Sequence, residues 1–489
     1  MVKIYLSTHN YIFKMKLLKK LLKATFFIIS CLILIIVTII LIDGQKTSYL
    51  NTNKLPEKNT FIIKNANIIP MKTDTVLTNK MIYIKEGIIN TISHKIDTTN
   101  ITVINAQGKY LTPGLIDMHV HIWDKYELGL YLANGVTAVR NLWGMPMHLR
   151  LKEDINNNKI VTPIIFTSSP KLTGPEFIGD DNLNLTTPEQ AKEKVISYKK
   201  KGYDFIKTYY GLTENIFDAI IDEAKINNID IVAHPSQKVA YSYHFNPQIK
   251  SIEHTEDIVQ QPLNYTLDTL MLKKVVTSFS KSKHSAFSPT LVVYNNIYQM
   301  LINDTILNSE QMSFMNPLIK MVDGKAQFSR WHNAKLEDKM IVNRIKDQHD
   351  FHLKIIKQLH EAGVPIICST DAGIGITLPG YSIHKELSFY KEAGLSNYDV
   401  LKTATVNAAQ THKIMNNMGT IEVGKVANLL LVDANPLSNL STMQTPKTVF
   451  IKGKKLEETH LDYFKQKAKN RKNLIASAFR YIENLMIEK

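Results

Sequence analysis

The longest hydrophobic run in the chain lies near its N-terminus. Residues 24–42 carry no charged side chain, and a helix of these 19 residues is roughly 28 Å long, about the thickness of a bilayer's hydrocarbon core. Five lysines between residues 14 and 23 precede the run, and the positive-inside rule then places the N-terminus in the cytoplasm. We predict a basic cytoplasmic segment over residues 1–23, a single transmembrane anchor over residues 24–42 and a polar linker over residues 44–58. The rest of the chain is expected on the periplasmic or extracellular side.

Two other roles of this run stay open. A cleaved signal peptide would leave a secreted protein, but the run is long for a signal and no clear small-residue cleavage site follows Ile42. Lipidation at Cys31 is less favoured, because the apolar run continues past this cysteine.

Beyond residue 58 the pattern changes to short strands separated by Gly, Asn and Asp. Strand signals cover residues 60–69, 81–92 and 101–106, and similar signals return at residues 427–432 and 448–451. Because pieces from opposite ends of a chain can form one domain, we predict a small β-sandwich domain built from residues 59–112 and 419–456.

Between these pieces, short apolar strands alternate with helical stretches, which indicates βα units and a parallel sheet. Eight strands are predicted, the number that a (β/α)8 TIM barrel needs; they lie near residues 114–121, 137–141, 164–168, 204–209, 230–234, 251–253, 287–293 and 365–369. The predicted fold class is therefore α/β, with the barrel over residues 113–418. A polar stretch near residues 298–339 is predicted to be a helical insertion over the barrel top, and residues 457–489 a basic helical tail.

Charge and cysteine content narrow the function classes. The formal net charge is +15, but the excess lies at the ends, with seven basic residues and one acid in residues 1–50 and seven basic residues and two acids in residues 463–489. With no nucleic-acid-binding motif in the sequence, this distribution favours membrane topology and surface solvation over nucleic-acid binding. The two cysteines, Cys31 and Cys368, exclude a disulfide framework and multi-cysteine metal sites.

Histidines and an aspartate follow several of the predicted strands. His119 and His121 end an apolar strand on the same face, at the barrel end where active sites are built. Such a pair alone is more often structural. However, His234, His254 and Asp371 also follow predicted strands, and this repetition predicts a metal site. Nitrogen and oxygen ligands suit zinc, while manganese, iron and nickel stay open.

Lys207 lies inside the apolar strand predicted at residues 204–209. Burial lowers the pKa of a lysine, and the neutral amine can react with carbon dioxide to give a carbamate whose two oxygens can bridge two metal ions. The alternative is a buried lysine paired with an acid.

Five stretches together carry a family resemblance. They are residues 111–121 (LTPGLIDMHVH), 202–207 (GYDFIK), 369–371 (STD), 404–409 (ATVNAA) and 419–428 (GTIEVGKVAN). In these stretches the sequence resembles the amidohydrolase superfamily, particularly its imidazolonepropionase-like and Xaa-Pro dipeptidase-like members, over residues 60–455. One departure is Asn428, where the closing motif usually carries aspartate; we expect no effect on the chemistry.

The resemblance implies roles for these residues. His119 and His121 would bind a first metal ion, His234 and His254 a second, and a Lys207 carbamate would bridge them. Asp371 would bind metal and transfer the proton. Two zinc ions are expected, but some imidazolonepropionase-like members use one metal and no carbamate, so a single ion stays open.

The expected function is metal-dependent hydrolysis of an amide-type C–N bond in a small molecule or short peptide, such as a dipeptide or an N-acyl amino acid. The alternatives are a deaminase or cyclic-amide hydrolase on the same fold, and a non-catalytic membrane-anchored binding protein. A serine hydrolase is disfavoured because the sequence has no G-x-S-x-G motif. The sequence does not specify the substrate and leaves a homo-oligomer open.

Five more side chains are weaker candidates for substrate contact. His148, His244 and His384 are each more typical of packing, whereas Tyr209 and Tyr243 could hydrogen-bond a substrate.

Overall fold

The computed structural model describes residues 2–54, 59–175 and 183–488. Residues 55–58 of the predicted linker, Met1 of the basic segment and Lys489 of the tail lie outside the described residues. The strands are β1 (Phe61–Ile68), β2 (Leu77–Lys85), β3 (Ile88–Ser93), β4 (Val103–Asn105), β5 (Tyr110–Pro113), β6 (Leu115–Val120), β7 (Val136–Asn141), β8 (Ile164–Thr173), β9 (Leu183–Asn184), β10 (Phe205–Thr208), β11 (Asp230–Ala233), β12 (Ile249–Glu253), β13 (Ala286–Ser288), β14 (Leu429–Val432), β15 (Thr448–Ile451) and β16 (Lys454–Glu457).

The helices alternate with the strands through the middle of the chain. They are α1 (Val2–Lys46), α2 (Lys125–Ala133), α3 (Pro146–Asn156), α4 (Pro188–Lys201), α5 (Glu214–Ile226), α6 (Thr255–Gln260), α7 (Thr269–Ser282), α8 (Leu291–Ile302), α9 (Pro317–Ile319), α10 (Lys325–Glu337), α11 (Ile341–Glu361), α12 (Ser382–Glu392), α13 (Asn397–Thr403), α14 (Val406–Thr411), α15 (Glu458–Lys469) and α16 (Leu474–Glu488).

The central sheet is parallel, in the order β13-β12-β11-β10-β8-β7-β6, with β9 beside β8. Residues 365–372 close it into a barrel. Ile366 forms a parallel bridge with Phe287 of β13, and Ala372 forms one with Val120 of β6. This confirms the predicted (β/α)8 barrel, whose eighth position is held by single bridges rather than a continuous strand.

The seventh strand is shorter than predicted. β13 ends at Ser288, and residues 291–293 belong to α8. Glu386 accepts the backbone N–H groups of Leu291 and Val292 at 3.0 and 2.7 Å, which satisfies the first donors of that helix. The predicted strand at residues 81–92 was also wrong in extent: it is a hairpin of β2 and β3, turning at Glu86 and Gly87, both with positive φ.

The two ends of the chain share a second sheet, in the order β16-β15-β14-β5-β1-β2-β3, with β4 beside β1. β14 pairs antiparallel with β5, and this pairing joins the C-terminal strands to the N-terminal ones. Phe61 and Phe450 stack in its core with ring centroids 5.4 Å apart. The fold thus contains the predicted small β domain built from both ends.

The N-terminal helix α1 contains an apolar stretch that is long enough to cross a membrane by length and composition, and a signal sequence meets the same criterion. The residues after it do not form the free linker that we predicted. Tyr49 and Leu50 are buried in the main core, with the Tyr49 ring 5.5 Å from Phe464. Leu50 accepts the N–H of Val161 at 2.7 Å. The start of the linker is therefore fixed to the barrel.

The stretch between β13 and the closing segment is helical, as predicted, and includes α8, α9 and α10, with a π-helical turn at Lys320–Gly324 that joins α9 to α10. Side chains from α9 and this turn line the cavity at the barrel mouth. The tail forms α15 and α16, and α16 contacts both α9 and α1.

Candidate active site

Three of the predicted ligands form one buried cluster at the carboxyl end of the barrel. Asp371 Oδ1 lies 2.7 Å from His121 Nε2 and 3.2 Å from His119 Nε2. The ligand atoms of these three residues lie within 4.8 Å of one another, so they could hold a metal ion. Burial lowers the pKa of His119 to about 4, which keeps its imidazole neutral, the form that binds metal.

The other three predicted ligands lie beside this cluster. The His254 ring is 5.0 Å from that of His119, and the His234 ring is 4.6 Å from that of His254. Lys207, on β10, is 1 % exposed and lines the same cavity. Six side chains from four strands and the closing segment therefore lie together, as the sequence predicted.

Lys207 Nζ and His234 Nδ1, two buried nitrogens of this second group, have no hydrogen-bond partner among the described residues. The other ring nitrogen of His234, Nε2, lies 3.4 Å from Asp257 Oδ2 without forming a hydrogen bond. Burial lowers the pKa of Lys207 to about 8, so a neutral amine is accessible near neutral pH. Because buried polar atoms normally have partners, these atoms fit a site that holds a bound group, and their nitrogen donors suit a divalent transition metal.

A buried carboxylate supports the first cluster. Glu253 Oε2 lies 2.8 Å from His119 Nδ1, and its other oxygen accepts a hydrogen bond from Arg140 Nη2 at 2.9 Å. Burial alone would raise the pKa of Glu253, but the guanidinium of Arg140 holds it well below the usual range. The anionic carboxylate fixes the imidazole of His119 with Nε2 towards the metal cluster. His254 is fixed similarly, with Nδ1 2.8 Å from the hydroxyl of Thr290.

The backbone is unusual at two of the site residues. Asp371 and His254 have φ values of +57° and +68°, a region that non-glycine residues rarely adopt. Hydrogen bonds from Asp371 N to His119 O and from His254 N to Ser288 O, both 2.7 Å, hold these conformations. Gly373, with φ +99°, packs so closely against the backbone of His121 that a Cβ on it would lie 2.1 Å from His121 O.

The cluster opens into a cavity of about 410 Å³. Its walls are largely apolar and aromatic, and they come from the barrel loops, the insertion and the tail; beside the site residues they include Trp123, Trp143, Lys171, Tyr209, Leu318, Ile319, Val322, Asp323, Gln327, Ile374 and Tyr481. Trp123 Nε1 donates to Gly373 O at 2.8 Å, which couples one wall to the loop after Asp371. An apolar cavity with a few polar groups at one end is typical of a small-molecule site.

Of the five weaker candidates for substrate contact, Tyr209 lines the cavity and the other four have contacts elsewhere. The Tyr243 hydroxyl donates to Asp218. The three histidines contact backbone: His148 Nε2 lies 2.8 Å from Ile122 O, His244 Nε2 accepts the N–H of Ser236, and His384 Nε2 lies 3.0 Å from Asn134 O. These contacts confirm packing roles for the histidines.

Four residues in or beside the candidate site were missed by sequence reasoning. Glu253 and Arg140 are charged residues inside apolar strands, a signal that also marked Lys207 and could have marked them. Lys171 and Tyr481 reach the cavity from a long strand and from the C-terminal tail. The path of the tail to the barrel mouth has no local signal in the sequence.

Residues 110–456 match the model of the amidohydrolase family. The chain belongs to this family. The membership confirms the resemblance carried by the sequence motifs.

Individual relatives differ in function. Dihydroorotase of Carboxydothermus hydrogenoformans is 44 % identical over 63 residues, only 13 % of this chain and 14 % of that protein. Longer matches are the 5'-deoxyadenosine deaminase of Methanobrevibacter smithii, 22 % identical over 77 % of this chain and 85 % of the relative, and the imidazolonepropionase of Thermoplasma volcanium, 23 % identical over 77 % and 90 %.

Solved structures support the fold. Bottromycin amidohydrolase matches with a TM-score of 0.70 at 21 % identity, covering 87 % of this chain and 96 % of that one. A Xaa-Pro dipeptidase with bound methionine in its active site matches with a TM-score of 0.62 at 19 % identity, covering 81 % and 100 %.

Proposed function

We propose that the protein is a metal-dependent hydrolase of an amide-type C–N bond, with a small molecule or short peptide as substrate. The observation that carries this proposal is the convergence of six potential ligands at the barrel mouth, together with the buried Lys207 Nζ and His234 Nδ1, which have no hydrogen-bond partner among the described residues. A non-catalytic binding protein would have no need of this buried set.

His119 and His121 would hold one metal ion and His234 and His254 a second, with a Lys207 carbamate between them. Asp371 would contribute a further oxygen. The donor set favours zinc. A bound divalent ion would lower the pKa of a bound water and polarise the scissile carbonyl.

The protein's own groups complete the reaction. The Asp371 carboxylate accepts the proton of the attacking water and returns it to the leaving nitrogen, which departs as an amine. Glu253 keeps the His119 imidazole in one orientation throughout. The apolar walls exclude bulk water and strengthen these electrostatic interactions.

Dipeptides and N-acyl amino acids are the preferred substrate classes, since the polar groups at the metal end face apolar and aromatic walls. Hydrolysis of a cyclic amide or deamination is a second candidate. It is favoured by the two relatives that match most of the chain, a deaminase and an imidazolonepropionase.

The placement of the protein forms part of the proposal. The helix α1 would stay as a single transmembrane anchor with its N-terminus in the cytoplasm, because lysines precede its apolar run. The barrel would then lie on the periplasmic or extracellular side. Secretion after signal cleavage is the alternative.

The full-length protein, purified in detergent without chelator, tests the function. We expect close to two metal ions per chain by elemental analysis and hydrolysis of members of a panel of dipeptides, N-acyl amino acids and cyclic amides. Release of ammonia rather than an amine or acid would identify a deaminase.

Two carboxylates in the same cavity provide a matched comparison. Asp371→Asn should abolish turnover, whereas Asp323→Asn should keep the metal content and change kcat by a few fold at most. A protein without metal, or with equal rates in both variants, would contradict the proposal.

A further inference from the structure

The C-terminal helix α16 connects the cavity to the membrane-side helix. Tyr481 lines the cavity, and the neighbouring Arg480 forms an ion pair with Asp43, directly after the apolar run of α1. The body of the protein is therefore attached to α1 by a fixed contact, in addition to the buried residues Tyr49 and Leu50.

The two helices run side by side in opposite directions. A groove between them is lined by Ile36 and Ile40 of α1 and by Ile482, Met486 and Ile487 of α16. These residues come before Asp43 on α1 and after Arg480 on α16, which is the order of an antiparallel pair. Ile36 lies seven residues before Asp43, and at 1.5 Å per residue this is about 10 Å along the helix.

One face of α16 packs on the body. Ala476, Ser477, Asn484 and Glu488 are buried, and Glu488 pairs with Lys201 at 2.9 Å. The opposite face is apolar yet exposed: Ile475 is 49 %, Ile482 44 % and Met486 80 % exposed, and Ile487 at the edge of the buried face is 52 % exposed.

The C-terminal end of α16 lies next to a basic turn. Lys199, Lys200 and Lys201 occupy the last turn of α4, and all three are exposed, with Lys201 paired to Glu488 at the end of α16. An exposed strip of apolar side chains with lysines near one end is the pattern of a helix that lies in the interface of an anionic bilayer.

We propose that the apolar face of α16 is embedded in the outer leaflet of an anionic lipid bilayer, beside the anchor. The inference rests on the proposed membrane anchor. If residues 24–42 span the hydrocarbon core, Ile36 lies inside it, and the part of α16 that shares its groove lies at the boundary of that core. The helix that supplies Tyr481 to the cavity would then be a membrane-contacting wall, and the enzyme would be seated on the surface rather than tethered above it.

Probe depth in the full-length protein tests this. Single cysteines at Met486, Leu270 and Leu34 would be introduced with Cys31 replaced by serine, since the other native cysteine, Cys368, is buried. Each would carry an environment-sensitive fluorophore in vesicles of phosphatidylcholine and phosphatidylglycerol. Leu270, on α7, is 73 % exposed and is the matched control for Met486.

We expect the probe at Met486 to be quenched by lipids brominated on the acyl chain and protected from iodide, and the probe at Leu270 to show the reverse. Iodide quenching at Met486 equal to that at Leu270 would overturn the proposal. The Leu34 probe reports the anchor itself: iodide access there would reject the anchor, whereas a protected Leu34 with an accessible Met486 would reject only the seating of α16. Ile482→Cys repeats the measurement if labelling at Met486 destabilises the protein. Weaker lipid quenching at Met486 in pure phosphatidylcholine is expected, and no change would overturn the role of the lysines.

Discussion

Nδ1 of His119 lies 2.8 Å from Oε2 of Glu253, so a buried carboxylate fixes the ring whose other nitrogen faces Asp371. In metal sites, mutation of such a partner typically weakens metal binding by about 10–100-fold. We therefore expect Glu253→Gln to bind metal on the order of 10–100-fold more weakly, as measured by competition with a chelator. Glu386→Gln, at a buried carboxylate that caps α8, should keep the affinity of the wild type. Wild-type affinity in Glu253→Gln would show that this contact does not support the ligand.

Lys207 and Lys171 line the same cavity, and only the first lies among the proposed ligands. Lys207→Ala should lose one metal ion per chain and most activity, because no carbamate can form. Acetate or propionate added with metal should restore part of the rate by filling the space. Lys207→Arg should not be rescued, since the guanidinium remains charged and occupies the site. Lys171→Ala should keep its metal, and full metal content in Lys207→Ala would reject a bridging carbamate.

Gly373 and Gly394 form a pair that separates steric crowding from backbone strain. Both have a φ near +100°, but a Cβ at Gly373 would lie 2.1 Å from His121 O, whereas one at Gly394 would have nothing within 4 Å. Gly394→Ala should cost about 1–2 kcal/mol of strain and keep its metal. Gly373→Ala should in addition displace the His121 backbone and lose metal binding, as elemental analysis and thermal unfolding would show. Equal behaviour of the two variants would mean that the loop adapts.

The barrel and the residues that cluster at its mouth were predictable because the period of the hydrophobic pattern and the strand-end positions are local features of the sequence. His119 and His121 are two residues apart on one strand, and His234, His254 and Asp371 each follow an apolar run. The same local reasoning misread residues 291–293. This apolar run also suits a helix face, and the distant Glu386 that caps the helix is not visible from the run itself.

Contacts between distant segments were not predictable. The polar residues after α1 were expected to form a linker, yet Tyr49 and Leu50 pack into the core. Asn316 of the insertion and Asn473 of the tail both donate to Asp124, at 2.7 and 2.8 Å. Such long-range pairs fix the insertion and the tail, whose Leu318 and Tyr481 line the cavity, and the pattern along the chain does not encode which segments meet.

The buried His352 gives the protein a predictable response to acid. Burial lowers the pKa of His352 to about 3, below the 6.5 of the unfolded chain. Between these values the unfolded state binds a proton that the folded state does not, so this contribution to stability is complete above pH 6.5 and is lost as the pH falls.

His352→Phe keeps a ring against Tyr294 and removes the proton. Between pH 7 and pH 5 the free energy of unfolding of this variant should therefore fall less than that of the wild type, with a difference of up to about 1.4 kcal/mol per pH unit. Its unfolding midpoint should show the same order. The exposed His284→Phe should follow the wild type, and parallel curves for all three proteins would contradict the assignment.

The junction between α1 and the barrel predicts where the chain can be shortened. A chain beginning at Asp43 lacks the apolar run but keeps the partner of Arg480 and the buried Tyr49 and Leu50. It should stay soluble without detergent and unfold at the temperature of the full-length protein. A chain beginning at Thr52 loses Leu50, whose removal from a core costs about 2–5 kcal/mol, and the Tyr49 contact with Phe464. Its unfolding temperature, measured by circular dichroism, should be several degrees lower, and its Arg480 is left without its carboxylate. If both chains unfolded at the same temperature, the residues after α1 would be a linker after all, and the fixed attachment of the body to α1 would have to be abandoned.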